Sequence, residues 1–314
     1  MERNNLITKI CYLYYNEDLT QSEIAARLGI TRQMVSRLIL KAKQDGIVQI
    51  LIKAPTLSTT DLEVKLEKKF NLLEAILVPG DYVSEESLKE QLGRATAEHL
   101  QKILRPGLKI GMGWGTTLRS MAEYFNRSNT KTVEGVEVIQ VMGGMNNVAY
   151  NILAQDIVRL TATSLGGREI YLHAPCIVEN QEIRDTFIRE GAIREVIERY
   201  WGLDVVFIGL GLVHENTMVA NSGNIDKSEF RNFQQLGAVG EICLRPFDSN
   251  GGFLAVPIVN RVISIDVDQL RRVDSVAVVG GGKDKHEAMW GVLQSGLIKV
   301  VITDENTARY VLEK

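Results

Sequence analysis

The sequence predicts an α/β protein in two parts, a small helical N-terminal domain and a larger domain on a mostly parallel sheet. Three observations predict it. Residues 20 to 41, TQSEIAARLGITRQMVSRLILK, have helix-turn-helix spacing. From residue 75 onward, apolar strand-like runs alternate with helical stretches. At 314 residues the chain is too long for one helical module and suits a small head joined to a larger body.

In the helix-turn-helix, Ala25 is small where two helices cross closely, and Gly29 stands at the turn, where a left-handed backbone is cheap only for glycine. Ile24, Leu28, Ile30, Val35 and Leu38 are spaced to close both helices over one small core, and Thr31 is placed to N-cap the second. That second helix, predicted over residues 32–41, leaves Arg32, Gln33, Ser36, Arg37 and Lys41 outside the apolar set. Gln and Arg make bidentate bonds to adenine and guanine edges, whereas hydroxyl and Lys groups more often fix a protein on phosphates. The segment therefore predicts DNA binding, with Arg32, Gln33 and Ser36 as base readers and Thr31, Arg37 and Lys41 completing the set. The plainer alternative is an αα-hairpin with a solvated basic face.

Charge follows the same division. The net charge is −3, yet residues 1–54 carry about +3 and the remainder about −6. With a pI of 5.9, this excludes a protein that coats nucleic acid nonspecifically and fits a site-specific binder with an anionic body.

In chain order, residues 6–15 read as a first helix with Ile7, Ile10, Leu13 and Tyr14 on one side. Residues 47–52 read as a short strand that ends the head. The helix-turn-helix domain is thus residues 1–54. Residues 55–60, with Pro55 and several Ser and Thr, form a linker, and residues 61–314 form the body. The body opens with a helix over 61–70, where two chains could meet or where the chain packs on itself. Strands are predicted at 75–78, 109–112, 137–142, 168–172, 205–209, 275–279 and 300–303. Helices are predicted at 85–104, 116–125, 151–164, 181–201 and 283–295.

In such folds ligands bind at the carboxyl ends of the strands, and glycine loops stand there. The foremost is GMGWGTT at 111–117, after a strand and before a helix. Its glycines let the backbone approach an anion, the helix supplies free amides and a positive dipole end, and Thr116 and Thr117 add hydroxyls. It lacks the Lys-Ser/Thr ending of a P-loop, and a dinucleotide fingerprint would need glycine at 116. Three more loops are expected to ring the same site: Gly143 with Gly144, residues 237–241 with Glu241, and residues 280–285 with Lys285. Lys285 suits phosphate oxygens and Glu241 suits sugar hydroxyls. Asp204, just before a strand, is expected to position the strand end.

Cys11, Cys176 and Cys243 lie far apart without a CxxC, and the four histidines show no HxxxH spacing, so neither a metal nor a cofactor is expected. Each thiol reads as a small buried hydrophobe in a reducing cytosol. With no apolar run long enough for a bilayer and no signal-peptide core, a cytoplasmic protein without a membrane partner is expected.

The segments LYYNEDLTQSEIAARLGITRQMVSRLILKAKQDGIVQI, GMGWGTT, LDVVFIGLG, GAVGEI and GGGKDKHEA, taken in order, resemble the SorC family (SorC/DeoR-type) of bacterial sugar-binding transcriptional regulators. The resemblance covers nearly the whole chain. It implies a helix-turn-helix joined to a Rossmann-like effector domain similar to sugar-phosphate isomerases and glucosamine-phosphate deaminases, assembled as dimers or tetramers. It further implies operator DNA and a phosphorylated sugar as partners, with repression of a carbohydrate-utilisation operon relieved by the sugar as the default sign. By that analogy Gly113, Gly115, Thr116 and Thr117 hold the phosphate, with Lys285 nearby and Glu241 towards the hydroxyls. One departure is Met142, at a position where relatives can carry a basic side chain. The rival class is an isomerase- or deaminase-like enzyme with a DNA-binding head. It could use Asp248 and Glu241, but no Asp-His or Glu-His cluster accompanies the loops, so an enzyme is not expected. A nucleotide or redox sensor is the second rival.

Overall fold

The computed structural model describes residues 2–48, 59–127, 130–145, 154–215, 217, 219–220 and 225–314. The chain divides into two compact units, Met1–Leu57 and Ser58–Lys314.

The first unit is three helices, α1 (Glu2–Tyr15), α2 (Gln21–Leu28) and α3 (Arg32–Gln44). Local chemistry sets their ends. Thr20 opens α2 through a capping box: its hydroxyl accepts from the Glu23 amide, and the Glu23 carboxylate accepts from the Thr20 amide. Gly29 ends α2 at φ 66°. The Thr31 hydroxyl then accepts from the Met34 amide at 3.2 Å and starts α3. Ile10, Ile24, Val35 and Ala42 form the fully buried centre of a single core, with Tyr14, Leu28 and Ile30 packed at its rim. Ala42 explains why α3 outruns its predicted end by nearly a turn. Of the strand expected over 47–52, residues 47 and 48 form a bend, and the rest lies outside the described residues. Thr31→Ala is expected to destabilise this unit by about 1 kcal/mol, read as a lower urea midpoint of its helical signal. An unchanged midpoint would show that the hydroxyl contributes no cap.

The second unit begins earlier than the linker boundary suggests, because Thr59 precedes and Thr60 opens α4 (Thr60–Phe70). Residues 55–58 of that linker lie outside the described residues. After it come β1 (Glu74–Val78), α5 (Glu85–Ile103), β2 (Lys109–Met112), α6 (Thr116–Arg127), β3 (Glu137–Gln140), α7 (Ala154–Leu165) and β4 (Arg168–Ile170). The chain continues with α8 (Gln181–Arg189), α9 (Gly191–Arg199), β5 (Val205–Gly209), α10 (Lys227–Gln235), β6 (Ala238–Ile242) and β7 (Arg245–Asp248). It closes with α11 (Val267–Leu270), β8 (Ser275–Val279), α12 (His286–Gln294), β9 (Val300–Asp304) and α13 (Glu305–Glu313).

Seven strands form one parallel sheet in the order β1-β9-β8-β5-β2-β3-β4. Central strands are apolar throughout because both faces are covered. Val206 and Ile208 of β5 join one core with α4, α9, α12 and α13, while Val205 and Phe207 join the other with α5, α6 and α7. Asp204 does position a strand end: its carboxylate accepts from the Lys109 amide and from Arg105, each at 2.7 Å, so the starts of β2 and β5 are held together. Among the described residues no helix is long and apolar enough to cross a membrane.

The departures from the sequence expectation in the second unit include the unforeseen α10 and α13 and three others. The helix over 181–201 is two helices, because Glu190 is extended at ψ 129° and serves as the C-cap of α8 and the N-cap of α9. The loop at 237–241 is mostly strand: β6 pairs with β7 in a separate antiparallel hairpin. The strand over 137–142 ends at Gln140, and Met142 instead bridges Ser264 with its side chain 5% exposed in the core. The first residues of the helix expected from 151 lie outside the described residues.

Candidate functional site

On α3, burial of Val35, Leu38, Ile39 and Ala42 leaves the opposite side free. Thr31, Arg32, Gln33, Ser36, Arg37 and Lys41 are all exposed, and Lys41 faces only Asp45, at 3.9 Å. Helical spacing places Gln33, Ser36, Arg37 and Lys41 in one stripe. Sequence reasoning missed Leu40, which is 57% exposed within that stripe. An apolar side chain there has the chemistry to meet a thymine methyl group in the major groove. The signal was available: Leu40 is the one large apolar residue of α3 out of phase with its core positions.

In the second unit the chain crosses from β1 to β2, proceeds to β3 and β4 on one side, then returns to β5, β8 and β9 on the other. Strand order therefore reverses between β2 and β5, and the crevice at their carboxyl ends is the switch point where such sheets bind ligands. Gly113 leaves β2 by donating its amide to the Phe207 carbonyl at 2.9 Å, so it shapes the loop and supplies no free donor. A Cβ at Gly113 would meet that same carbonyl oxygen at 3.3 Å. Gly115 has φ 145°, a conformation closed to other residues, and turns the chain into α6. The amides of Thr116, Thr117 and Leu118 have no acceptor among the described residues, as the first turn of a helix requires. They and the helix dipole make a cradle for an anion.

Across β5, the loop after β8 carries Lys285. Two strand spacings, about 10 Å, separate the ends of β2 and β8, a span suited to a small phosphorylated molecule. Glu241 comes from β6, whose backbone exchanges two hydrogen bonds with Gly211 in the exit loop of β5, at 2.9 and 3.0 Å. Its Oε2 accepts from the Leu244 amide at 2.6 Å. Glu241 and Lys285 are half-buried, and the protein packed around their charged ends governs their titration. Burial pushes the Glu241 carboxyl up to about 7, against the pull of the Leu244 amide and of Lys285. Burial, aided by Lys89 of α5, brings the Lys285 ammonium down to about 8. The Lys285 ammonium has no hydrogen-bond partner among the described residues, while its backbone amide donates to the Gly282 carbonyl at 2.9 Å. An ammonium held in that condition gains most from an incoming dianion.

Other expected residues have different work. Gly143 donates to the Ile263 carbonyl, and Gly144 exchanges bonds with residues 174 and 176. A Cβ on Gly143 would stand 2.6 Å from the Cys176 amide, so this pair lets backbones touch and offers no free amides to a ligand. Asp304, Gly211 and Lys89 were not foreseen. Asp304 is fully buried at the end of β9 and accepts from the Gly282 amide at 2.7 Å, shaping the loop that carries Lys285. Gly211 leaves room for Glu241, since a Cβ there would lie 1.6 Å from its Oε1. Gly211→Ala is expected to displace that carboxylate, break its bond to Leu244 and weaken ligand binding at least tenfold with a small change in melting temperature. Unchanged affinity by calorimetry would remove Glu241 from the site.

One unit thus presents a helix with an exposed polar and basic face, and the other a crevice at the switch point of a parallel sheet. Joined on one chain, they define a transcriptional regulator that couples a DNA-binding head to a ligand-binding α/β domain. Residues 54–313 match the sugar-binding domain family (Sugar-bind), and residues 8–44 match Sigma-70, region 4. The chain is 30% identical over 308 residues to the deoxyribonucleoside regulator of Bacillus subtilis (strain 168), covering 98% of this chain and 97% of that protein. It is 29% identical over 314 residues to the sorbitol operon regulator of Klebsiella pneumoniae, covering 98% of each. The crystal structure of the full-length sorbitol operon regulator SorC from Klebsiella pneumoniae superimposes with a TM-score of 0.76 at 26% identity, covering 99% of this chain and 100% of that one. A DeoR family transcriptional regulator from Listeria monocytogenes gives 0.72 at 27% identity, covering 81% and 99%. The chain belongs to the SorC family of sugar-binding transcriptional regulators.

Proposed function

We propose that this regulator is a cytoplasmic repressor of a carbohydrate-utilisation operon, released from its operator by a phosphorylated sugar. The observation that carries the reading is the pairing of free amides at the start of α6 with the unpartnered ammonium of half-buried Lys285 in the loop after β8. The phosphate seats on Thr116, Thr117 and the turn at Gly115, with Gly113 shaping the loop, Lys285 closes on it, and Glu241 meets the hydroxyls. Gly143 and Gly144 hold the floor against residues 174–176. Arg32, Gln33, Ser36, Leu40 and Arg37 enter the major groove, while Thr31 and Lys41 lie along the backbone. Two or four chains assemble so that paired heads read half-sites separated by whole turns of DNA. The sugar binds two arrangements of that assembly unequally and shifts the spacing of the heads.

Catalysis is not part of this reading. Asp248, one of two carboxylates an enzyme could use, has its Oδ1 engaged by the amides of Asn250 and Gly252 at 2.8 and 2.9 Å. Glu241 is engaged by Leu244. The test is binding of the purified protein to the DNA upstream of its neighbouring operon, with and without a panel of sugar phosphates. Release by one phosphorylated sugar, with no turnover of it, is the expected result. DNA binding indifferent to every phosphorylated sugar would sink the proposal.

A further inference from the structure

Helices α5 and α6 follow β1 and β2 of one parallel sheet, so they run in the same direction, and both pack on the core that holds Phe207. Their contact fixes how they lie side by side. A Cβ at Gly93 of α5 would stand 2.7 Å from the Met121 amide nitrogen and 2.8 Å from the Ser120 Cβ, so the two helices touch closely there. Further along, the Tyr124 hydroxyl of α6 donates to Glu98 at 3.5 Å, and the Arg94 guanidinium lies 6.0 Å from the Tyr124 ring. Residues 93–98 of α5 thus advance beside residues 120–124 of α6. One turn back from the crossing, on the same two faces, stand Lys89 on α5 and Thr116 and Thr117 on α6. Helix geometry therefore sets Lys89 beside the anion cradle.

Lys89 is tied to the other half of the site as well. A Cβ on Gly282, in the loop that carries Lys285, would meet the Leu88 Cδ2 at 3.4 Å. The Lys89 charge is second only to burial in bringing Lys285 down to about 8. On its own helix Lys89 faces Glu85 and Glu86 at 3.7 and 4.0 Å, both beyond hydrogen-bond length, and its side chain is 31% exposed. Its ammonium has no hydrogen-bond partner among the described residues. Two ammonium groups that repel each other in the empty site both gain from a dianion bound to them. We propose that Lys89 is a further effector-binding residue, leaving Glu85 and Glu86 to join Lys285 and the first turn of α6 on the phosphate. This rests on the phosphosugar reading of the crevice and deepens it: two ammonium groups and a helix N-terminus favour a doubly charged phosphate over a singly charged carboxylate.

The test is calorimetric titration of the full-length protein with inorganic phosphate, and with sulfate, a dianion throughout, for a pH series. Lys89→Met, which keeps an apolar stem, is expected to weaken phosphate binding about tenfold, and Lys89→Arg to stay within about threefold of wild type. Salt separates contact from distant attraction: at about 1 M, exposed charges more than about 3 Å apart are screened, so the tenfold factor should persist. In Lys89→Met the alkaline loss of sulfate affinity should begin at a higher pH, because Lys285 is freed of its like-charged neighbour while Glu85 and Glu241 still face it. Arg119, the first charged residue of α6, is held by Glu123 at 2.8 Å. If Lys89→Met binds phosphate as tightly as wild type, or its deficit vanishes in high salt, the proposal is overturned and the phosphosugar reading stands. If the wild type binds neither phosphate nor sulfate, the cradle falls and Lys89 with it.

Discussion

The double variant Thr116→Val, Lys285→Ala is expected to lose its response to the sugar phosphate while still binding operator DNA. Thr116 supplies a hydroxyl at the first turn of α6, and Lys285 supplies the one enclosed ammonium of the loop after β8. Charge-assisted bonds to a phosphate are the strong ones, so removing both groups should take affinity below the measurable range. The fold should survive, because neither side chain carries a buried hydrogen bond that holds another element. The measurement is operator release by anisotropy, alongside calorimetric titration. Release at wild-type sugar concentrations would remove the loop from the site.

The same lysine sets a pH signature. With Lys285 near 8, the ammonium is present at neutral pH and lost above it. A sugar phosphate, whose second ionisation lies near 6, is already a dianion there. Affinity should therefore weaken by about tenfold for each pH unit above 8. The unliganded body should respond differently. Glu241, raised from 4.5 to about 7, binds more protons folded than unfolded, so its contribution to stability is lost as pH climbs through that range. Lys285, lowered from 10.5 to about 8, binds fewer, so stability recovers between those values. A body that melts at the same temperature at pH 5 and pH 7.5, with other groups matched by Glu241→Gln, would contradict the assignment.

Operator affinity should fall on the order of a hundredfold in the double variant Gln33→Ala, Arg37→Ala, each lost contact being worth about 1–3 kcal/mol. The melting transition should not move, since both side chains are exposed and leave the core of Ile24, Val35 and Leu38 intact. A drop in melting temperature comparable to Thr31→Ala would instead assign them a structural role. Salt dependence separates their work: loss of a base reader weakens binding to the operator alone, whereas loss of a phosphate contact weakens all DNA and flattens the salt slope.

Much of the fold was legible because its signals are local. The capping residue Thr31, the left-handed Gly29 and the apolar spacing of α1 to α3 each act within a few residues. The parallel strands were readable from continuous apolar runs, which burial on both faces demands. The hairpin was not. Its turn runs through Cys243 and Leu244 at φ 50° and 60°, where Asn-Gly is the usual signal. That conformation is held by the Glu241 carboxylate on the Leu244 amide and, from a distant segment, by the Ser264 hydroxyl on the Cys243 carbonyl. Glycine misled for a related reason. At Gly115 it turns the chain into α6, but at Gly143 it admits another stretch of backbone, and only tertiary structure tells these apart. The break at Glu190 escaped because apolar periodicity continues from α8 into α9.

Strand order also has a consequence for how the chain is made. β1, the first strand of the body to be synthesised, lies at the sheet edge and has a single neighbour, β9, the last strand of all. The Lys69 ammonium at the end of α4 likewise binds the carbonyls of Val311 and Leu312 in α13. The head, whose contacts are short in sequence, can fold as soon as it leaves the ribosome, while the body cannot close its sheet until β9 emerges. For that interval each nascent molecule carries a reading head with no sensor to govern it, and a transcript cut short before β9 would leave that condition permanent.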